Sequence, residues 1–186
     1  MRIFKEKEID RDWTLFLDRD GTINKRLMDA YVRSVEEFEF LPGALEALAI
    51  FNEQFKYSIV VTNQQGVGKE LMSRDDLHDI HNFMLKKVNE FGASIDEILY
   101  CPHLAALDPS CRKPNPGMAF QAKEIFPDIE FKQSVMVGDT ESDILFGKRL
   151  RMYTVLISPD RKDENYFEAD LVVASLREFA EYLNEY

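Results

Sequence analysis

The sequence predicts an α/β protein of three layers, a Rossmann-like parallel sheet between two sets of helices. Three observations carry that expectation. Strand-like runs and helical periodicities alternate along the 186 residues, the pattern of βαβ units rather than of hairpins. The run 57–63, "YSIVVTN", is apolar and β-branched with little alternation, as in a strand covered on both faces. Polar residues with chemical potential stand just after the strand-like runs, where open parallel sheets bind their ligands.

The elements follow in order. Thr14 to Leu17 is a buried strand. A helix is expected over 42–55, where Leu45, Leu48, Ala49 and Phe51 recur at helical spacing behind a proline. After the strand 57–63, a long helix opens at Ser73, an N-cap residue type, and closes on Gly92, a C-cap signal. A strand at 97–101, a helix at 117–126, a strand at 134–138 and a helix at about 140–150 come next. Short strands at 153–157 and 170–174 precede a closing helix at 176–186. No internal repeat or low-complexity segment interrupts the order. The length fits a single domain over 1–186, with a short Cys/His loop inserted around 101–111.

Composition narrows the function classes. Hydrophobic residues at 45% and charged residues at 31% describe a chain with a core, not a disordered one. No apolar run approaches a membrane span and the N-terminal stretch is charged, so the expectation is a cytoplasmic protein without membrane contact, and a monomer. A net charge of -11 argues against nucleic acid as a partner, since phosphate-backbone affinity comes from Lys and Arg. An anionic substrate must then be met by local cations, a metal or helix N-termini. The two cysteines, Cys101 and Cys111, are too few for a disulfide scaffold and suggest metal chemistry.

The chemistry concentrates in four stretches. "TLFLDRDGTIN" puts Asp18 and Asp20 at the end of the first strand, followed by Gly21. Two carboxylates so close repel each other, so a cation must sit there or one of them must react. A motif of the form Asp-x-Asp-Gly-Thr arises by chance about once in a thousand such chains; an Asx turn is its plain structural explanation. "VVTNQ" places Thr62, Asn63 and Gln64 after the second strand. "RKPNPGM" carries Arg112 and Lys113, ordinary surface cations if taken alone. "VGDTESD" brings Asp139 and Asp143, which a helix cap and a solvated face would also explain. Order and placement together favour a site. "GVGK" at 66–69 does not meet the phosphate-loop pattern, because Asn63 and Glu70 stand where Gly and Ser or Thr are needed. His78 and His81 lie three apart on the long helix and are expected on its surface.

These four stretches resemble the motifs of the haloacid dehalogenase (HAD) phosphohydrolases, and the likeness spans about 14–158. "FEFLPGALEAL", "TNQQGVG", "YCPH" and "RKPNPGM" resemble its small-cap group of heptose-bisphosphate and histidinol-phosphate phosphatases. The resemblance implies a HAD-like fold with a minimal cap and Mg²⁺-dependent hydrolysis of a small phosphorylated metabolite. By it, Asp18 attacks phosphorus to form an aspartyl-phosphate and Asp20 serves as acid, then base. Asp18, Asp139 and the Asp20 backbone carbonyl would hold the Mg²⁺. Thr62 would bond a phosphoryl oxygen and Lys113 would balance charge on nucleophile and phosphate. Asn63, Gln64 and Arg112 would contact substrate, and Lys25 and Arg26 could attract a second phosphate. Gly21 would allow the tight turn, and Asp143 would support the metal or cap the helix.

"CPHLAALDPSC" resembles the loop that in related phosphatases holds structural Zn²⁺ with three Cys and one His. Here Cys101, His103 and Cys111 are present but Pro109 replaces the fourth ligand, so a four-coordinate site is one ligand short. Zinc is therefore possible but incomplete. The expected substrate is D-glycero-D-manno-heptose 1,7-bisphosphate at its 7-phosphate, with histidinol phosphate the alternative. A nucleic-acid end phosphatase and an inactive binding protein are more distant readings, opposed by the acidic charge and by the retained Asp18, Asp20, Lys113 and Asp139.

Overall fold

The computed structural model describes residues 9–28, 30–160 and 168–184. Six parallel strands form one sheet in the order β3-β2-β1-β4-β5-β6. They are β1 (Thr14–Leu17), β2 (Tyr57–Asn63), β3 (Glu97–Cys101), β4 (Ser134–Gly138), β5 (Tyr153–Ile157) and β6 (Leu171–Val173). The helices are α1 (Ala44–Gln54), the single turn α2 (Gln65–Gly68), α3 (Arg74–Glu90), α4 (Gly117–Ile125), α5 (Glu141–Arg149) and α6 (Leu176–Asn184). The chain runs outward from β1 through β2 to β3, then crosses back to β4 on the other side of β1. That reversal opens a crevice beyond the carboxyl ends of β1 and β4.

Side-chain alternation along the strands builds the two outer layers. Leu15 and Leu17 of β1 join Val60, Val135 and Val155 in a core covered by Phe51 of α1, Ile80 and Met84 of α3, and Phe179 of α6. Phe16 points the other way. It packs with Ile59, Val61 and Met136 against Met118 and Ala122 of α4 and Phe146 of α5. Removing such side chains from water contributes about 1.5–3 kcal/mol each. Register is tight at the centre, with Phe16 opposite both Ile59 and Met136.

The expected strands and helices are present, with shifts at their ends. α1 starts at Ala44 rather than at Pro42 because Gly43 adopts a left-handed conformation, with φ of 77°. Ser73 caps α3 as expected, through a reciprocal bond pair with Asp76. α2 and the 3-10 turns at Val35–Glu37, Ala105–Leu107 and Phe131–Gln133 are too short to show a sequence period. Positions 185–186 of the expected closing helix lie outside the described residues. Among the described residues no helix is long and apolar enough to cross a membrane.

Candidate active site

Asp18 directly follows β1, and its amide still donates to Val137 O of β4 at 2.9 Å, so the sheet holds its backbone. Its Oδ1 accepts a bond from Lys113 Nζ at 2.7 Å, and the same ammonium lies 2.6 Å from Asp143 Oδ1. Lys113 has 1% of its side chain exposed. The loop carrying it is pinned by Asn63 at the end of β2. Asn63 Nδ2 donates to Lys113 O (3.1 Å) and Asn63 Oδ1 accepts from Lys113 N (3.0 Å). Asn63, expected at substrate, thus spends its amide on Lys113, while still lining the cleft.

Asp143 does two jobs. Its Oδ2 accepts from Thr140 N (3.0 Å) and Thr140 Oγ1 (2.6 Å), capping α5, while its Oδ1 faces Lys113. Asp139 follows β4. A Cβ on Gly21 would lie 2.0 Å from Asp139 Oδ2, and Gly21 has φ of 93°, so glycine here lets the Asp139 carboxylate lie against the turn. Asp139 Oδ2 is 3.0 Å from Arg26 Nη1, and its Oδ1 is buried without a partner.

Charge in this corner is unbalanced. Burial first, then the neighbouring Asp18 carboxylate, push Asp139 up to about 8, with Arg26 opposing. Burial likewise raises Asp18 to about 6, against the pull of Lys113. Asp18, Asp139 and Asp143 offer oxygens within 4.8 Å of one another. An all-oxygen set with an orphaned carboxylate oxygen and raised pKa values fits a hard divalent cation such as Mg²⁺. Both oxygens of Asp143 are already engaged, so Asp18 and Asp139 are the side chains left to ligate it.

Asp20, two residues after Asp18, lines the cleft and has partners of its own. Arg19 Nη2 donates to both of its oxygens at 2.9 Å, Asn24 Nδ2 to Oδ1 at 2.9 Å and Gln64 Nε2 to Oδ2 at 2.8 Å. Burial alone would raise the Asp20 pKa, but Arg19 and the two amides hold it below the usual carboxylate range. Gln64, expected at substrate, is buried and also donates to Thr62 Oγ1 at 2.9 Å. Behind them, Arg19 Nη1 lies 3.1 Å from His81 Nε2. A guanidinium only donates, so His81 Nε2 accepts and the ring is neutral with its proton on Nδ1. Burial, then Arg19, drive the His81 pKa down to about 3.

His81 corrects the expectation of a surface residue. His78 is exposed, but His81 is buried because α3 turns that face onto the sheet. Arg19 and Asn24 carry no expectation from the sequence. One signal was available for Arg19: Leu15 and Leu17 face the α3 layer, and the same alternation sends Arg19 that way.

Arg26 and Arg112 line a cleft of about 600 Å³ with Asp20, Tyr31 and Lys69. Arg112 Nη1 is buried without a partner, and burial lowers the pKa of this guanidinium. Lys69 stands over the Tyr31 ring at 5.3 Å. Lys25 instead forms an exposed ion pair with Glu39 at 3.4 Å. The zinc expectation is corrected. Cys101 and Cys111 are joined in a disulfide, so neither presents a free thiolate, and His103 is exposed in a shallow cleft beside Ser110. With Pro109 in place of a ligand, two sulfurs whose Cα atoms are 5.3 Å apart are spaced to bond each other. Among the described residues the one cluster arranged for a metal is the Asp18, Asp139 and Asp143 set.

Known proteins resemble this chain in sequence and, for a solved structure, in fold. A family model described as HAD-hydrolase-like matches residues 110–179. A D-glycero-alpha-D-manno-heptose-1,7-bisphosphate 7-phosphatase of Mycobacterium bovis is 44% identical over 132 residues, covering 71% of this chain and 70% of that protein. A D-glycero-beta-D-manno-heptose-1,7-bisphosphate 7-phosphatase of Pasteurella multocida is 34% identical over 172 residues, covering 87% and 91%. A crystal structure of a D,D-heptose 1,7-bisphosphate phosphatase from B. bronchiseptica, complexed with magnesium and phosphate, superposes with a TM-score of 0.84 at 30% identity, covering 93% and 98%.

Proposed function

Because the chain belongs to the haloacid dehalogenase superfamily of phosphomonoester hydrolases, we propose that it removes the 7-phosphate of D-glycero-D-manno-heptose 1,7-bisphosphate. The observation that carries this reading is Asp18, held by buried Lys113 on one oxygen and set beside the partnerless oxygen of Asp139. A nucleophile, a fixed cation and a metal-ready carboxylate share one corner of the crevice.

Asp18 attacks the phosphorus, and the bond from phosphorus to the sugar oxygen breaks as an aspartyl-phosphate forms. Asp20 gives its proton to the departing oxygen. It then takes a proton from a water that attacks the aspartyl-phosphate, releasing phosphate and restoring Asp18. The grip of Arg19, Asn24 and Gln64 favours ionised Asp20, the form that the water step uses. The acid step therefore requires Asp20 to leave part of that grip and turn to the leaving oxygen. Lys113 neutralises charge on Asp18 and on the phosphoryl group, and the Thr62 hydroxyl, which accepts from Gln64, keeps its proton to donate to a phosphoryl oxygen. Mg²⁺ held by Asp18 and Asp139 would supply further charge stabilisation and alignment. Arg112, with its buried free nitrogen, and Arg26 supply the cations that an anionic substrate needs in a protein of net charge -11.

The test is a substrate panel with Mg²⁺: both anomers of the heptose bisphosphate, histidinol phosphate and an oligonucleotide 3′-phosphate. Heptose bisphosphate should give the highest kcat/KM, and Asp18→Asn should abolish its turnover with the fold intact. A preference for histidinol phosphate overturns the substrate, and activity retained in Asp18→Asn overturns the mechanism.

A further inference from the structure

Arg26 touches the two carboxylates that the phosphatase reading assigns to the metal. Its Nη1 is 3.0 Å from Asp139 Oδ2 and its Nη2 is 4.0 Å from Asp18 Oδ2. Lys113 also pairs with Asp18, yet the two cations differ in freedom. Lys113 is 1% exposed and locked between Asp18 and Asp143, whereas the Arg26 side chain is 40% exposed on the loop after β1. Arg26 also lines two clefts, the one with Arg112 and Lys69 and a second of about 680 Å³ with Leu41 and Ser158. It has room to leave its carboxylates on either side without disturbing the core.

A guanidinium and a divalent cation cannot share those oxygens. Mg²⁺ needs its oxygen ligands at about 2.1 Å in octahedral array, and an arginine charge one ligand away repels it. We propose that Arg26 is an exchangeable counter-ion of the metal site: the divalent cation binds Asp18 and Asp139 by displacing the Arg26 guanidinium. The inference rests on the Mg²⁺-dependent reading above. Displacement swings a positive group toward the cleft just as the metal is seated, so one residue links metal entry to anion capture. The cost appears as weakened metal affinity in the substrate-free protein.

The experiment measures metal alone, without substrate: Mn²⁺ by the electron paramagnetic resonance of the free ion, and Mg²⁺ by calorimetry. Wild type, Arg26→Gln, Arg26→Lys and Asp139→Asn are compared, with thermal unfolding to verify each fold. Arg26→Gln should bind both ions about tenfold more tightly, the change expected for removing a competing ion pair and its repulsion. Arg26→Lys, which keeps the charge but loses the planar fork, should fall between them. Equal or weaker binding by Arg26→Gln overturns the competition while leaving the metal site standing. Binding that survives in Asp139→Asn, or is missing from wild type, overturns the metal site and the competition with it.

Discussion

Replacing His81 with glutamine keeps an acceptor for Arg19 while removing a ring that cannot take a proton without losing that bond. In the unfolded chain a histidine titrates near 6.5, whereas burial and Arg19 lower folded His81 to about 3. Below pH 6.5 the unfolded state therefore binds a proton that the folded state refuses, and stability falls as pH falls. Between pH 7 and pH 5 the penalty is about 1.5 pH units at 1.36 kcal/mol each, or about 2 kcal/mol. Asp18 acts in the opposite sense, since burial raises its folded pKa to about 6, but it is common to both proteins and cancels in the difference. Urea unfolding at pH 7, 6 and 5 gives the measurement. Wild type should lose about 2 kcal/mol more than His81→Gln across that range. Parallel losses would refute the neutral, bond-accepting imidazole and with it the account of how Arg19 is buried.

Asp143→Asn leaves Lys113 with Asp18 as its one carboxylate partner and weakens the cap of α5. It should cost about 3 kcal/mol in unfolding experiments and lower kcat more than it raises KM; unchanged stability would mean that Lys113 does not depend on it. The double variant Cys101→Ser with Cys111→Ser should lower stability by about 2–3 kcal/mol through the freed loop, with kcat within a few-fold of wild type. Reductant should produce the same shift in wild type, and a collapse of kcat would show that the bridge positions Arg112 and Lys113.

What the sequence made legible follows from strand ends. Apolar runs located β1, β2 and β4, and whatever follows such runs lies at one rim of a parallel sheet. Asp18, Thr62, Asp139 and Asp143 are thus grouped by the sequence alone. Lys113 was harder, because it sits in a loop, and its motif rather than any periodicity singled it out. The other side of Asp20 was invisible for a different reason. Arg19 reads as a spacer between two acids, and only the alternation of Leu15 and Leu17 marks it for burial, a cue that a charged residue type hides. His81 lies 62 residues away and meets it only because α3 packs under β1. The two cysteines misled because spacing alone does not separate a thiolate pair that awaits zinc from one that closes on itself. Asn63 lines the cleft and Gln64 is buried behind it, and their amides are spent on Lys113 and Asp20, a distinction that needs hydrogen-bond geometry.

The layer formed by α3 supplies no side chain to the wall of the arginine-lined cleft, yet its His81 meets Arg19, which grips Asp20, the acid and base of the proposed mechanism. Any ligand, lattice or truncation that tilts this rod would be felt by Asp20 before the crevice itself changed shape. The rear of the molecule is therefore a lever on the chemistry at its front, and immobilising or fusing the protein through that flank should alter turnover more than tethering it elsewhere.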